Sequence, residues 1–362
     1  MIGNPYLKEL NYLKEAVLEE ISSVLDSGSY ILGEKVKRFE TNFSEYLEVE
    51  NVVGVANGLD ALQLILMALD IGKGDEVITT SLSAVATTLA ITRTGATPVF
   101  VDIDEYFHID ATKIEAAITP RTKAVMPVHL YGQSVDLDKI VEICKENKIF
   151  LIEDAAQAQG AEFNGKKLGS IGEAGAFSFY PTKNLAAYGD AGAVSTSDSV
   201  LAEKVSMLRN YGQKTRYRHE LAGINSRLDE LQAAVLNVKL KYLDEWNKSR
   251  IDCAAIYQGE LADAGDIKLP MVRPEAKHVF HQYVIRTKKR DELVSYLQEN
   301  GVPALIHYPI PIHQQPCYPE FHSVSLPETV RASQEILSLP IHPFMSKSEL
   351  LFVIEKVKVF FD

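Results

Sequence analysis

GAFSFYPTKNLAAYGDAGAV, residues 175–194, joins two β-like runs, Gly175 to Tyr180 and Gly192 to Thr196, through a short segment of Pro, Thr, Lys, Asn and glycines. That composition puts Lys183 on a constrained turn. A lysine amine becomes a nucleophile toward an aldehyde when its position is fixed and its charge is partly suppressed, which a wall of Phe177, Phe179 and Tyr180 can supply. Lys183 is therefore read as a covalent cofactor anchor. A loop lysine by itself is ordinarily solvated and inert, so its neighbours must carry the argument.

Upstream, IFLIEDAAQAQGA (149–161) reads as an apolar strand that delivers Glu153 and Asp154 at its end. Open α/β sheets bind ligands at such carboxyl ends. A strand-end aspartate beside a later turn lysine suits pyridoxal 5'-phosphate, because the carboxylate keeps the pyridine nitrogen protonated and the ring an electron sink. An acidic helix cap is the ordinary reading of such an aspartate standing alone.

The chain also carries SYILGEKVKRFE (29–40), VANGLDAL (55–62), MPVHLYGQSVDLD (126–138), RNYG (209–212), INSRLDELQAAVLNVKLKYLDEW (224–246) and IHYPIPIHQQPCY (306–318). In this order the segments resemble the DegT/DnrJ/EryC1/StrS family of pyridoxal-phosphate-dependent nucleotide-sugar aminotransferases, over nearly the whole chain. The resemblance implies an α/β fold of the aspartate aminotransferase (type I) class. It assigns the cofactor phosphate to Gly58, Leu59 and Ser178, with Gln157 on the cofactor's phenolic oxygen. It also implies that Asn225 reaches the phosphate from a neighbouring subunit, so that a homodimer shares its active sites. Two positions depart from the family pattern. Gln159 stands where relatives usually carry His, and Ala84 stands where many carry an aromatic that covers one face of the pyridine ring.

Composition sets looser bounds. A chain of 362 residues, 46% hydrophobic and 24% charged, is an ordinary globular protein of two domains or of one large domain with a satellite. The net charge of −12 argues against a nucleic-acid partner. An acidic chain still binds a diphosphate locally, because screening confines charge effects to about 8 Å at physiological salt. Cys144, Cys253 and Cys317, widely spaced and odd in number, read as free thiols of a reducing, cytoplasmic compartment. The N-terminus lacks a basic start with an apolar core, and no apolar run is long enough to span a membrane.

Apolar spacing predicts helices over Leu7–Leu25 and Glu34–Leu47, followed by strands and helices in alternation. Strands are expected at 52–55, 76–79, 98–101, 124–128, 149–152, 176–179 and 193–196, with helices at 60–69, 84–92 and 137–146. The pattern implies a mostly parallel sheet of about seven strands. Beyond a long helix the rhythm changes. Segments 266–270, 281–287 and 301–307 read as strands around a helix at 290–299, dividing the chain into a large domain, 1–245, and a small α+β domain, 246–362.

Asn57-Gly58-Leu59-Asp60 closes the first strand and opens a helix, an anion site on one reading and plain capping on the other. Lys214, Arg216 and Arg218, interleaved by Tyr217, are either a solvated loop or a clamp for the diphosphate of a sugar nucleotide. The Pro- and His-rich segment after Ile306 is a rigid loop that could project His307, Tyr308 and His313 toward the cofactor, with Tyr180 also expected to contact substrate. The two histidines lack a third ligand of suitable spacing, so no metal is expected.

The reaction expected from Lys183 is transamination, with L-glutamate as donor and a nucleotide-linked keto sugar as acceptor. VANGLDAL and NSRLDELQAAVLNVKL most resemble the branch that aminates carbon 3 of dTDP-linked 3-keto-6-deoxyhexoses. The alternatives are a 4-aminotransferase on a UDP- or dTDP-linked 4-keto sugar and, more remotely, a non-catalytic nucleotide-binding or regulatory α/β protein.

Overall fold

The computed structural model describes residues 4–362; residues 1–3, which begin the segment read as free of a targeting signal, lie outside the described residues. Helix α1 (Pro5–Ser27) starts on an Asn4 cap and stops at Gly28, whose φ of 63° is the left-handed geometry glycine adopts without strain. Helix α2 (Glu34–Leu47) buries Val36, Phe39, Phe43 and Leu47, the spacing that predicted it. Gly33 offers no side-chain cap to α2, and the carboxylate of Glu230 supplies one by accepting the backbone N–H groups of Gly33, Lys35 and Val36.

The main sheet has seven strands: β1 (Asn51–Val55), β2 (Glu76–Thr80), β3 (Thr97–Val101), β4 (Thr122–Val125), β5 (Phe150–Asp154), β6 (Ala174–Ser178) and β7 (Gly192–Thr196). Their order is β1-β7-β6-β5-β4-β2-β3. Strand β7 alone runs against its neighbours β1 and β6, while the other pairings are parallel. Helices α3 (Gly58–Ala68), α4 (Val85–Arg93) and α6 (Ser199–Leu208) cover one face; α2, α5 (Leu137–Asn147) and α7 (Glu230–Lys239) cover the other. Cover on both faces explains why β2 is buried at every position.

Strand β4 ends at Val125, earlier than its sequence suggests, because Pro127 has no N–H to continue the ladder; Val128 rejoins β5 through one bridge to Asp154. Helix α8 (Leu243–Glu260) leads to a C-terminal core built from Ala254, Tyr257, Tyr283, Leu293, Leu337 and Val353 among others. There β8 (Tyr283–Arg286) pairs antiparallel with β9 (Ile336–Leu339), a segment whose four residues are all buried and so lack the alternation that marks a strand. The expected strands at 266–270 and 301–307 reduce to single bridges, Lys268 with Arg286 and Leu305 with Ser338. Pro303 lacks the N–H group a longer ladder at 301–307 would use. Helices α9 (Arg290–Glu299), α10 (Pro327–Glu335) and α11 (Lys347–Phe361) complete this half. Among the described residues no helix is long and apolar enough to cross a membrane.

Candidate active site

Successive residues of a strand face opposite ways, and this separates the two carboxylates at the end of β5. Glu153 accepts the backbone N–H groups of Gly169, Ile171 and Gly172 and lies 3.0 Å from His129 Nε2, so it is consumed in holding a loop. Asp154 points the other way. Its Oδ2 accepts the Thr87 hydroxyl at 2.8 Å and its Oδ1 accepts the Ala156 N–H at 3.2 Å. Burial pushes the Asp154 carboxyl above its ordinary range, against the pull of those bonds and of the Lys183 charge.

Strands β6 and β7 form a wide hairpin with Lys183 in its connection, at the carboxyl edge of the parallel strands. The Lys183 N–H donates to the Tyr180 carbonyl at 2.8 Å, and the Ala187 N–H to the Phe179 carbonyl at 2.8 Å. Phe177 and Phe179 do not wall the lysine. The strand's alternation sends both into the core against Phe39 and Phe43 of α2, and Tyr180 is 52% exposed. The environment that suppresses the lysine's charge comes instead from a cavity of about 540 Å³, bounded near Lys183 by Pro181, Asn184, His281 and His307. Burial there lowers the Lys183 amine to about 8, with Asp154 pulling the other way.

This value predicts a labelling profile. In cofactor-free protein, acetylation of Lys183 by acetic anhydride, followed by peptide mass spectrometry, should rise about tenfold per pH unit and level off near pH 8. Ordinary lysines, of pKa about 10.4, should keep gaining reactivity beyond that point. A Lys183 profile that levels off with the ordinary lysines would refute the suppressed charge.

The opposite face of β6 presents Ser178 to the start of α3. A Cβ on Gly58 would lie 2.7 Å from the Ser178 Cβ, so only glycine lets helix start and serine meet. Asn57 caps the helix by accepting the Asp60 N–H at 2.8 Å. The first-turn N–H groups of Gly58 and Leu59, with the Ser178 hydroxyl, give the polarity an anion needs, at a spot that a Cβ on Gly58 would crowd.

Gln157 accepts the Tyr131 N–H at 2.7 Å and donates to the Tyr308 hydroxyl at 3.1 Å. The Tyr131 hydroxyl donates to the His307 carbonyl, and His307 Nδ1 lies 2.8 Å from Ser338 Oγ. Gln157, His307 and Tyr308 are thus drawn together. Burial lowers His307 to about 4 and raises Tyr308 to about 12, so both are uncharged near neutrality. Gln159 donates to the carbonyls of Ser178 and Ala156, which ties the end of β6 to the turn after β5.

Other predicted residues lie apart. His313 is buried, bonds to Ser81 Oγ at 2.7 Å and packs near Phe100; it fastens its loop to the end of β2 and does not line the Lys183 cavity. Lys214 pairs with Glu203, Arg218 with Glu220, and Arg216 lies over Tyr217, all on an exposed hairpin at 213–219. Asn225 forms a backbone bridge to Asn210. Neither Asn225 nor the hairpin cations line the Lys183 cavity of their own chain. Sequence reasoning missed Thr87, Arg250, His281 and His342. Thr87 lies one turn beyond Ala84, the cap residue of α4, so only knowledge of where α4 docks could have found it. Among the described residues no cluster of three or more His, Cys, Asp or Glu could hold a metal.

The donor set fits pyridoxal phosphate: an amine of lowered basicity, a buried carboxylate for a ring nitrogen, and an anion cradle at a helix start. On this sheet that fit places the protein among pyridoxal-phosphate-dependent enzymes of the aspartate aminotransferase fold. The chain belongs to the DegT/DnrJ/EryC1/StrS aminotransferase family, whose profile matches residues 11–358. It is 49% identical over 354 residues to the dTDP-3-amino-3,6-dideoxy-alpha-D-galactopyranose transaminase of Aneurinibacillus thermoaerophilus, covering 97% of each chain. It is also 44% identical over 359 residues to a Geobacillus stearothermophilus protein named pleiotropic regulatory protein, covering 98% of this chain and 96% of that one. The X-ray structure of S. venezuelae DesV matches with a TM-score of 0.96 at 45% identity, covering 98% of this chain and 96% of that one.

Proposed function

We propose that this protein aminates carbon 3 of a dTDP-linked 3-keto-6-deoxyhexose, with L-glutamate as amino donor, in deoxyaminosugar biosynthesis in the cytoplasm. The observation that carries the reading is Lys183, half-buried beside Asp154 with its basicity lowered, in a chain nearly half identical to a dTDP-3-amino-sugar transaminase. When bound, pyridoxal phosphate supplies the electron sink that accepts charge as a proton leaves the donor carbon. Gly58, Leu59 and Ser178 hold its phosphate, and Asp154 keeps a proton on its ring nitrogen. Gln157 bonds its phenolic oxygen. Lys183 would anchor it and, once freed, would take and return the donor's proton at its Nζ, acid-base work suited to a pKa of about 8. Tyr180, His307 and Tyr308 orient sugar hydroxyls. A regulatory role has one relative's name in its favour; the lowered basicity of Lys183, with Asp154 acting on it, favours the enzyme.

The sugar is tested by offering the pyridoxamine form a panel of 3-keto and 4-keto sugar nucleotides and following return of the cofactor's visible absorbance. Reoxidation by dTDP-3-keto-6-deoxyhexoses is expected. Reoxidation by 4-keto sugars alone overturns the carbon 3 assignment, and reoxidation by none overturns the substrate class.

The active unit in this reading is a homodimer in which Asn225, Lys214, Arg216 and Arg218 complete the partner's site. Their placement outside their own cavity supports it, as do the exposed Tyr211 and Tyr217 beside them. Mixing Lys183→Ala with Asn225→Ala chains should regenerate about a quarter of wild-type sites by random exchange, in a shared-site dimer. A fully active monomer on sedimentation would exclude the arrangement. The division into domains 1–245 and 246–362 belongs to the same proposal. Helix α8 crosses it, with Trp246 packed on α1 and α7 and Tyr257 in the C-terminal core.

A further inference from the structure

Ser83 and Thr87 bracket the start of α4, and both are buried, 5% and 1% exposed, beside an Asp154 that is 4% exposed. Ser83 Oγ lies 2.9 Å from Thr87 Oγ1, which in turn lies 2.8 Å from Asp154 Oδ2. An ionised carboxylate only accepts hydrogen bonds, so the Thr87 hydroxyl spends its single proton on Asp154. The Thr87 lone pair then faces Ser83, whose hydroxyl must be the donor of the outer bond. Two hydroxyl dipoles thus run the same way toward one carboxylate oxygen, while the Ala156 N–H holds the other at 3.2 Å. Hydrogen bonds chained in this sense strengthen one another in a low-dielectric interior.

Both hydroxyls are fixed from outside the site. Ala90 and Ile91 pack α4 into the core above the sheet, which sets the position of Thr87. Ser81, two residues before Ser83, accepts the His313 N–H on its Oγ and the Ile312 N–H on its carbonyl, each at 2.9 Å. The loop that carries His307 to the cavity therefore also fastens the segment from which the two hydroxyls start. Burial favours the neutral form of Asp154. Of the influences that oppose burial, the Thr87 hydrogen bond is the largest, ahead of the Ala156 N–H and the Lys183 charge. A single proton is shared between this carboxyl and a pyridine nitrogen facing it, so whatever stabilises the carboxylate leaves the proton on the ring.

We propose that Ser83 and Thr87 are positioning residues for the reaction, a two-hydroxyl relay that keeps Asp154 an oriented carboxylate and so keeps the proton on the cofactor's ring nitrogen. The proposal rests on the cofactor assignment and is independent of which sugar is aminated.

The test follows holoenzyme whose cofactor carries nitrogen-15 in the ring, by solid-state NMR. The wild-type resonance should lie at the protonated position. Thr87→Val, which keeps the side-chain shape and removes the hydroxyl, should move it toward the unprotonated position. Ser83→Ala should move it less, and Thr87→Ser should restore it. In parallel, pyridoxamine phosphate should bind Thr87→Val about 10–100-fold more weakly than wild type, the scale of one hydrogen bond to a charged group. Its 1-deaza analogue, with carbon in place of the ring nitrogen, should bind the two proteins alike. If the hydroxyls serve only to cap α4, Thr87→Val melts at a lower temperature, weakens both ligands equally and leaves the resonance in place, which overturns the proposal. If Thr87→Val does not fold, Ser83→Ala decides by the same three readings. An unprotonated ring nitrogen in wild type overturns the proposal whichever variants fold. A wild-type chain that takes up no cofactor overturns the assignment on which the proposal rests, whereas an unmoved resonance in a cofactor-bearing variant overturns the relay alone.

Discussion

Replacement of Lys183 by Ala should give a protein that still takes up pyridoxal phosphate but forms no borohydride-reducible bond, and whose turnover falls by about 10⁴-fold, the upper end for a positioned proton-transfer group. No neighbour can substitute for the amine. His281 and His307 are held neutral by burial, but both are weak bases there, and Asp154 is committed to Thr87 and Ala156. The side chain borders a cavity and packs no core, so thermal stability should change little. Full turnover by the variant, or a reducible bond formed at another residue, would remove Lys183 from the centre of the chemistry.

Asp154→Asn should separate stability from activity. An asparagine can still accept the Thr87 hydroxyl, so the local structure survives while the charge is lost. Turnover should fall about 10²–10³-fold, the loss typical of removing one preorganised electrostatic partner. The effect on cofactor-free protein has the opposite sign. Burial raises the Asp154 carboxyl above its unfolded value, so the unfolded state gives up this proton at lower pH than the folded state does. Wild-type apoprotein therefore loses stability as pH rises through and beyond the ordinary aspartate range. The Asn variant lacks that loss and should melt at an equal or higher temperature near neutrality. A variant with lower apoprotein stability and unchanged turnover would make Asp154 a structural residue.

Both residues were legible without coordinates because each belongs to a local motif whose geometry its own neighbours set. Lys183 lies between two strand-forming runs, and Asp154 ends an apolar one. Gly58 was legible for the same reason: a strand, a capping Asn and a glycine in succession dictate a helix start with open N–H groups, whatever packs around them. Helix α2 follows its apolar spacing to both ends. The resemblance to a family extended this reading to Gln157 and Ser178, whose neighbours alone say little.

The sequence by itself determined the alternation of strands and helices, the mostly parallel sheet, and the lysine, aspartate and glycine placed at its carboxyl edge, because hydrophobic period and turn chemistry act over a few residues. Only the tertiary structure decided which distant groups meet. It gave Asp154 its Thr87 partner, sent Phe177 and Phe179 into the core rather than around the lysine, paired β8 with Ile336–Leu339, drew His307 toward the cavity and His313 toward Ser81, and bonded the buried Arg250 to the carbonyls of Phe280, His281 and Ile341. Such contacts depend on how buried area and hydrogen-bond satisfaction sum over segments far apart in the chain, and no short window of sequence contains that sum.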